Sequence, residues 1–165
     1  MHEKTSMLIS GQPQGSGNYA RNVSVKSGPL RYAQTISAGP HVFRSDEASD
    51  VGGNDAGPNA HELLLASLGA CANITVQMYA QRHQWPLQGV QAAVSYARVL
   101  AENPPDSDAK IGMIDQLQVE ISFVGDLSEE QQARLLEIAG RCPVHRMLVS
   151  QVQIQTRLVP SPSPE

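Results

Sequence analysis

An almost unbroken run of apolar and small residues in the middle of the chain limits the fold more than any other feature. The stretch GPNAHELLLASLGACANITVQMYA covers residues 57–80. Asn59 stands three residues before Glu62, which is the capping-box spacing at a helix N-terminus. We therefore predict a helix from about Ala60 to Gln81. Because nearly every position from Leu63 to Ala72 is apolar or small, this helix must be enclosed on nearly every side there.

A second helical region lies near the C-terminus. Ser128 and Gln131 repeat the capping-box spacing at the start of a helix that Gly140 is expected to end. Pro143 suits the first position of a short third helix, which places Cys142 at its N-cap. Unpaired N–H groups at such an end stabilise a thiolate. Nearby basic side chains are expected to act in the same direction: Arg141, His145 and Arg146.

Alternating apolar and polar residues predict antiparallel strands around these helices, with Val119, Ile121 and Phe123 on one face of a long strand. The pattern of the three N-terminal strands predicts an antiparallel meander whose turns contain glycine. The predicted strands are RNVSVKSG (21–28), LRYAQTISAG (30–39), HVFR (41–44), VQAAVSYARV (90–99), IDQLQVEISFV (114–124) and VQIQTRL (152–158).

Length and charge narrow the class of protein. A chain of 165 residues with 41% hydrophobic residues can bury one core, so we expect a single domain over residues 21–158. A flexible segment (1–20) and a disordered Pro/Ser tail (159–165) should flank it. The net charge of −4 provides no basic surface for nucleic acid or an anionic membrane. With no leader pattern, the expectation is a soluble, cytoplasmic protein.

The two cysteines are too few for a secreted disulfide framework. They are either two inert buried thiols or a reactive pair, and their spacing alone leaves both interpretations open. Cys142 and His145 have the spacing of a metal-ligand pair, but further ligands would have to come from distant segments. We therefore expect no metal and no cofactor, with His145 capping its helix or tuning the Cys142 thiolate.

The two cysteine blocks resemble the OsmC/Ohr family of thiol-dependent organic hydroperoxide peroxidases, specifically its OsmC-like branch. The matching motifs are GPNAHELLLASLGAC, MYA, WPL, GDLS and CPVHR, within a resemblance that runs from about Arg21 to Leu158. It implies an α+β, OsmC-like fold whose antiparallel sheets wrap central helices in an intertwined homodimer, with active sites at the interface. Such a dimer would cover the apolar helix.

The resemblance also implies a chemistry. Cys71 matches the peroxidatic cysteine, whose thiolate attacks an organic hydroperoxide and becomes a sulfenic acid. Cys142 matches the resolving cysteine, which would form a Cys71–Cys142 disulfide that a lipoyl-type dithiol then reduces. The implied role is defence against oxidative and osmotic stress.

An arginine is needed beside Cys71, because apolar surroundings raise the pKa of a thiol unless a cation compensates. Arg44 lies at roughly the sequence position where OsmC members carry this arginine, although the following loop, SDEASDVGGNDAGPN (45–59), is longer here. Arg31 and Arg21 are alternatives on candidate strands, as in the Ohr branch.

The family's glutamate lies ten residues before the first cysteine and holds the arginine, and here that position is His61. Glu62 lies nine residues before Cys71, and one residue turns a helix by about 100°. Capping is the better-supported role of Glu62, because the Asn-x-x-Glu spacing already explains it, and Glu62 is at the same time a candidate site residue. His61 could accept a hydrogen bond in the site or face solvent.

The alternative is a non-catalytic OsmC-like protein that binds a hydrophobic small molecule in the dimer cleft, or a stress-induced scaffold with vestigial thiols. Sulfur atoms of Cys71 and Cys142 close enough to bridge would favour the enzyme. A Cα separation above about 7 Å would favour the binding protein.

Overall fold

The computed structural model describes residues 22–102, 111–158 and 160, and it consists of two compact units that meet in sequence between Ala60 and His61. The predicted flexible start, Arg21, residues 103–110 and nearly all of the predicted tail lie outside the described residues. The single domain over residues 21–158 stays a prediction.

The first unit contains a three-stranded antiparallel sheet, which confirms the predicted meander. Its strands are β1 (Val23–Ser27), β2 (Gln34–Ala38) and β3 (His41–Ser45), in the order β1-β2-β3. Gly39 turns the chain between β2 and β3 with φ of 60°, a conformation that glycine adopts without steric cost. A single 3-10 turn, Ser49–Val51, follows β3.

The second unit begins with the long helix α1 (Ala60–Arg82), in agreement with its predicted bounds. One face is buried, with Leu68, Gly69, Ala72, Val76 and Ala80. The opposite side leaves apolar side chains exposed: Leu64, Ile74 and Met78. The protomer's own elements therefore cover a single face of α1, and the expected enclosure of the helix by a second copy stays a prediction.

By length and composition, α1 is also long and apolar enough to cross a bilayer. No other helix in the described part of the chain meets these criteria. Core helices of soluble proteins pass the same test. The buried face of α1 packs into the protein core, as such helices do.

Two long antiparallel strands, β4 (Leu87–Glu102) and β5 (Ile111–Gly125), form a hairpin in the second unit. The strands are longer than predicted, because their pairing continues to Glu102 opposite Ile111. The predicted face of β5 is confirmed: its half-buried residues Val119, Ile121 and Phe123 pack against the core. Gly69 of α1 approaches β4 so closely that a Cβ there would lie 3.1 Å from Val94 Cγ2.

Two further helices complete the unit, α2 (Glu129–Ala139) and α3 (Pro143–Leu148). The capping box of α2 is present: the Gln131 N–H donates to Ser128 Oγ at 3.2 Å, and the Ser128 N–H donates to Gln131 Oε1 at 3.0 Å. Gly140 caps the C-terminus of α2 in a right-handed conformation, with φ of −68°. Cys142 is the N-cap of α3, as predicted.

The predicted last strand over residues 152–158 is absent: these residues have no regular secondary structure and are exposed. Ile154 is 85% exposed and Leu158 is 100% exposed. Alternating residues favour a strand only where a neighbouring strand supplies backbone hydrogen-bond partners. Nothing in the described part of the protomer pairs with this segment.

The fold is α+β, with two antiparallel sheets and three α-helices in the described residues. The core lies in the second unit, where buried residues of α1 meet Leu127, Leu135, Ala139 and Cys142. Leu135 and Val76 are completely buried. The intertwined dimer stays a prediction.

Leu135→Ala tests this core against an adjacent control. Leu135 is 0% exposed, whereas its neighbour Leu136 on α2 is 56% exposed. Removing a buried leucine side chain leaves a cavity, so Leu135→Ala should lower the free energy of unfolding by about 2–5 kcal/mol. Leu136→Ala should cost clearly less. Urea denaturation followed by circular dichroism measures both, and equal losses would contradict this core assignment.

Candidate active site

The two cysteines lie next to each other in the second unit. Cys71 is half-buried in the middle of α1, and Cys142 is completely buried at the start of α3. Cys71 packs against the core cluster that contains Cys142, and it is close enough to influence the pKa of the Cys142 thiol. Such proximity is the first requirement for two thiols that react with each other.

The environment of Cys142 keeps its thiol protonated. Burial is the largest influence and raises the pKa of Cys142, and the neighbouring Cys71 raises it further. The backbone N–H of His145 donates to Cys142 Sγ at 3.4 Å and acts in the opposite direction, but does not outweigh burial. The helix end acts in the predicted direction, because the N–H groups of Val144 and His145 lower the pKa of Cys142, but burial outweighs them and the net pKa is raised.

The basic neighbours of Cys142 do not compensate for burial either. Arg141 forms a salt bridge with Glu137 on α2, and Arg134 binds the same carboxylate. The positive charge of Arg141 is thus paired with a carboxylate on α2. Of the two thiols, the partly exposed Cys71 is the one placed to meet a solvent-borne reactant, while the neutral Cys142 lies behind it.

His145 acts on Cys142 through its backbone rather than as a metal ligand. Its N–H caps the sulfur, and its side chain lines a neighbouring cavity. No group of three or more His, Cys, Asp or Glu side chains in residues 22–102 and 111–158 is arranged to hold a metal ion.

A largely apolar cavity of about 440 Å³ lies in the second unit, and its lining includes residues near both cysteines in sequence but neither cysteine itself. Its α1 wall is formed by Leu68 and Ala72, which are close neighbours of Cys71 along the helix. Its ionisable lining residues are Asp115 and His145. The remaining walls come from β5, α2 and α3: Leu117, Val119, Ile121, Leu136, Ala139, Gly140, Leu148 and Val149. Such a cavity can accept the apolar part of a small molecule.

A polar cluster at the rim of this cavity was missed by sequence reasoning. Asp115 accepts a hydrogen bond from the Tyr96 hydroxyl at 2.9 Å and lies 3.6 Å from Arg98 Nε. The His61 ring is 6.0 Å from the Tyr96 ring. Arg98 and Asp115 are directly opposite in the β4–β5 register, so only knowledge of that register could have found the pair.

Glu62 and Cys71 lie on different faces of α1. Nine residues correspond to a rotation of about 180° around a helix. Glu62 lines a groove between α1 and β4 with Ala66, Gly69 and Asn73, whereas Cys71 packs toward Cys142. Within one protomer the structure thus does not bring Glu62 to the thiols, and a role for it there stays a prediction.

The candidate arginines belong to the first unit. Arg44 lies on β3, opposite Thr35 of β2. Arg31 lies in the turn between β1 and β2, with its guanidinium 4.9 Å from the Tyr32 ring centroid. Arg21 is outside the described residues. The assignment of an arginine to Cys71 stays a prediction.

Comparison with known proteins identifies one family. The family described as OsmC-like protein matches residues 52–157. Among curated proteins, no match is found.

Solved structures share the fold at low identity. An OsmC-like protein from Mycoplasma pneumoniae has 18% identity and a TM-score of 0.61, covering 80% of this chain and 89% of its own. The organic hydroperoxide resistance protein OsmC from Legionella pneumophila has 15% identity and a TM-score of 0.55, covering 81% and 91%. An organic hydroperoxide resistance protein from Elizabethkingia anophelis has 18% identity and a TM-score of 0.55, also covering 81% and 91%.

Alkylation of the native, reduced protein should separate the two thiols. Cys71 is partly exposed, whereas Cys142 is buried with a raised pKa, so iodoacetamide should label Cys71 first at pH 8. Labelling of Cys142 should increase only at more alkaline pH or on unfolding. Peptide mass spectrometry over time measures both sites, with urea-unfolded protein as the control in which they should react alike. Equal rates in the native protein would contradict the burial of Cys142.

Proposed function

The chain belongs to the OsmC/Ohr family, and from this premise we propose that it is a thiol-dependent peroxidase that reduces organic hydroperoxides to alcohols. Its proposed role is defence against oxidative and osmotic stress in the cytoplasm. The observation that supports this proposal is the proximity of the two cysteines: Cys71 packs against the core cluster that contains the buried Cys142 and influences its pKa. Two adjacent thiols of unequal exposure suit one attacking and one resolving cysteine.

In the first step, the Cys71 thiolate attacks the terminal oxygen of the hydroperoxide. A sulfur–oxygen bond forms as the oxygen–oxygen bond breaks, and the alkoxide leaves with a proton as the alcohol. Cys71 is oxidised to a sulfenic acid. The cavity beside Leu68 and Ala72 would accept an apolar part of the substrate.

In the second step, Cys142 attacks the Cys71 sulfenic acid. A disulfide forms and the sulfenic oxygen leaves as water. The buried, protonated state of Cys142 means that it must lose its proton during this step. An external dithiol, proposed to be of the lipoyl type, then reduces the disulfide by thiol–disulfide exchange and returns both thiols.

A cation beside Cys71 would favour its thiolate, and Arg44 is the first candidate for this role. Arg31 is the second candidate.

A homodimer is part of the proposal. The exposed side of α1 carries Leu64, Ile74 and Met78, which are 40%, 55% and 58% exposed. Because these side chains are already about half-buried, covering each of them against a second copy would contribute about half of the roughly 1.5–3 kcal/mol that a fully exposed side chain gains on burial. No nucleic acid, membrane or metal partner is proposed.

The second candidate function is a non-catalytic protein that binds a hydrophobic small molecule. The observation in its favour is the apolar cavity of about 440 Å³ in the second unit. The adjacency of the two thiols favours the peroxidase, because binding alone does not require it.

The peroxidase proposal predicts a specific series of cysteine variants. Wild-type protein should reduce cumene hydroperoxide with dihydrolipoamide as reductant. Cys71→Ser should lower the rate to that of the uncatalysed reaction, because the nucleophile is lost. Cys142→Ser should stop after the first step, leaving a Cys71 sulfenic acid that dimedone traps. Mass spectrometry of the peptides identifies each state. Wild-type Cys71 that stays reduced in excess peroxide would contradict the proposal and favour the binding protein.

The arginine assignment predicts a change in thiol reactivity. An opposite charge close to an acid favours its ionised form. Arg44→Gln should therefore slow the alkylation of Cys71 by iodoacetamide at neutral pH, while Arg31→Gln serves as the matched comparison. Slower alkylation with Arg31→Gln alone would transfer the role to Arg31.

A further inference from the structure

The C-terminus of α1 carries a glutamine where the backbone conformation favours glycine. The Trp85 N–H donates to the Ala80 carbonyl at 2.9 Å, and the Gln84 N–H donates to the Gln81 carbonyl at 3.1 Å. These two bonds form a Schellman motif, which places Gln84 in the left-handed region with φ of 55°. Glycine adopts this conformation without steric cost, whereas other residues are strained there. A strained side chain at this point indicates a use beyond ending the helix.

Gln84 lines a pocket of about 360 Å³ between the end of α1 and the start of β4, which we call the glutamine pocket. Apart from the indole of Trp85, every polar side chain in its lining is a glutamine, and none of the lining residues carries a charge. The pocket therefore presents neutral amides, each of which can both donate and accept hydrogen bonds. The lining residues are Gln77, Ala80, Gln81, Gln84, Trp85, Leu87, Gln88 and Gly89.

The course of the chain brings these amides together. Gln77 and Gln81 are one turn apart on α1, so they lie on the same side of the helix. Gln84 follows in the turn that ends the helix, and Gln88 lines the same pocket from β4. Several convergent polar groups in one pocket are typical of a site that fixes the orientation of a small ligand.

Trp85 adds an aromatic surface that is already held in place. Its ring packs edge-on against Tyr79, with 5.5 Å between ring centroids and an interplanar angle of 72°, and the His83 ring lies 5.6 Å away. Tyr79 is fixed in turn by Arg134 of α2, whose Nε donates to the Tyr79 hydroxyl at 3.1 Å. Because these contacts order the Trp85 ring before any ligand binds, binding costs less conformational entropy.

We propose that the glutamine pocket binds a neutral carbohydrate, with one face of a sugar ring on Trp85 and the sugar hydroxyls on the glutamine amides. A sugar ring has apolar C–H groups on its face and hydroxyl groups around its edge, which match an aromatic surface beside amides. A charged ligand would lose hydration without meeting an opposite charge in the lining.

This site is separate from the cysteine pair. Gln81 lies ten residues after Cys71 on α1, which corresponds to about 15 Å along the helix. Neither cysteine lines the glutamine pocket. The inference therefore goes beyond the proposed peroxidase and does not depend on it.

Fluorescence measures binding directly, because Trp85 is the only tryptophan in the chain. The full-length, reduced protein is titrated with millimolar methyl glucoside, methyl galactoside or maltose, and with glucuronate as the charged comparison. At least one neutral sugar should change the Trp85 emission to saturation, and glucuronate should bind more weakly. The absence of a saturable response to all three neutral sugars would overturn the proposal, as would binding of glucuronate that equals that of the neutral sugars.

Gln84→Gly separates binding from folding. Glycine relieves the left-handed strain, so this variant should unfold at the same or a higher temperature than wild type, as followed by circular dichroism. Its Kd for the sugar should nevertheless rise about three- to tenfold, which corresponds to the loss of one hydrogen bond. A stable Gln84→Gly variant with wild-type affinity would contradict the proposal.

Gln81→Ala and Gln91→Ala form a matched pair. Gln81 lines the pocket, whereas Gln91 is exposed on β4 outside its lining. Alanine is favourable in a helix, so Gln81→Ala should fold, and its Kd should rise as in Gln84→Gly. Gln91→Ala should keep the wild-type Kd, and equal effects of the two substitutions would overturn the proposal. No thiol or peroxide takes part in these measurements, so their outcome is independent of the peroxidase test.

Discussion

The burial of one face of α1 is the constraint on which the rest of the second unit depends. Leu68, Ala72, Val76 and Ala80 recur at helical spacing, and each is almost completely buried. The β4–β5 hairpin and α2 supply the surfaces that cover them. Gly69 allows the helix to approach β4 closely, since a larger residue there would press on Val94. Without this packing, neither the hairpin nor α2 would have an apolar surface to cover.

The position of the thiols follows from the same packing. Cys71 is one residue from the buried Ala72, so it lies at the border of the buried face and is only partly covered. Cys142 belongs to the core itself, because the turn after α2 brings the N-terminus of α3 against α1. Hydrophobic packing thereby sets both the proximity of the thiols and their difference in exposure. The raised pKa of Cys142 is a direct consequence of its burial in this core.

The sequence predicted those features that depend on local chemistry. The capping box at Ser128 and Gln131, the N-cap position of Cys142 and the shared face of β5 are each set by residues a few positions apart, and the structure confirms them. The net pKa of Cys142 could not be predicted because the helix end is a local signal, whereas burial depends on segments distant in sequence. The salt bridge between Arg141 and Glu137 was a local signal that the sequence reasoning missed, since the two residues are four positions apart.

Two expectations about the fold concern surfaces that one protomer does not supply. The apolar helix was expected to be enclosed by a dimer, and one side of it is exposed in the protomer. The strand expected after α3 is absent, and its residues are exposed as well. An apolar helix face needs a packing partner and a strand needs an edge with free backbone groups, and a second chain can supply both. The apolar and the alternating patterns therefore require more contacts than one protomer makes. These missing contacts are the physical argument for an intertwined dimer, in which a second chain would cover both α1 and the segment after α3.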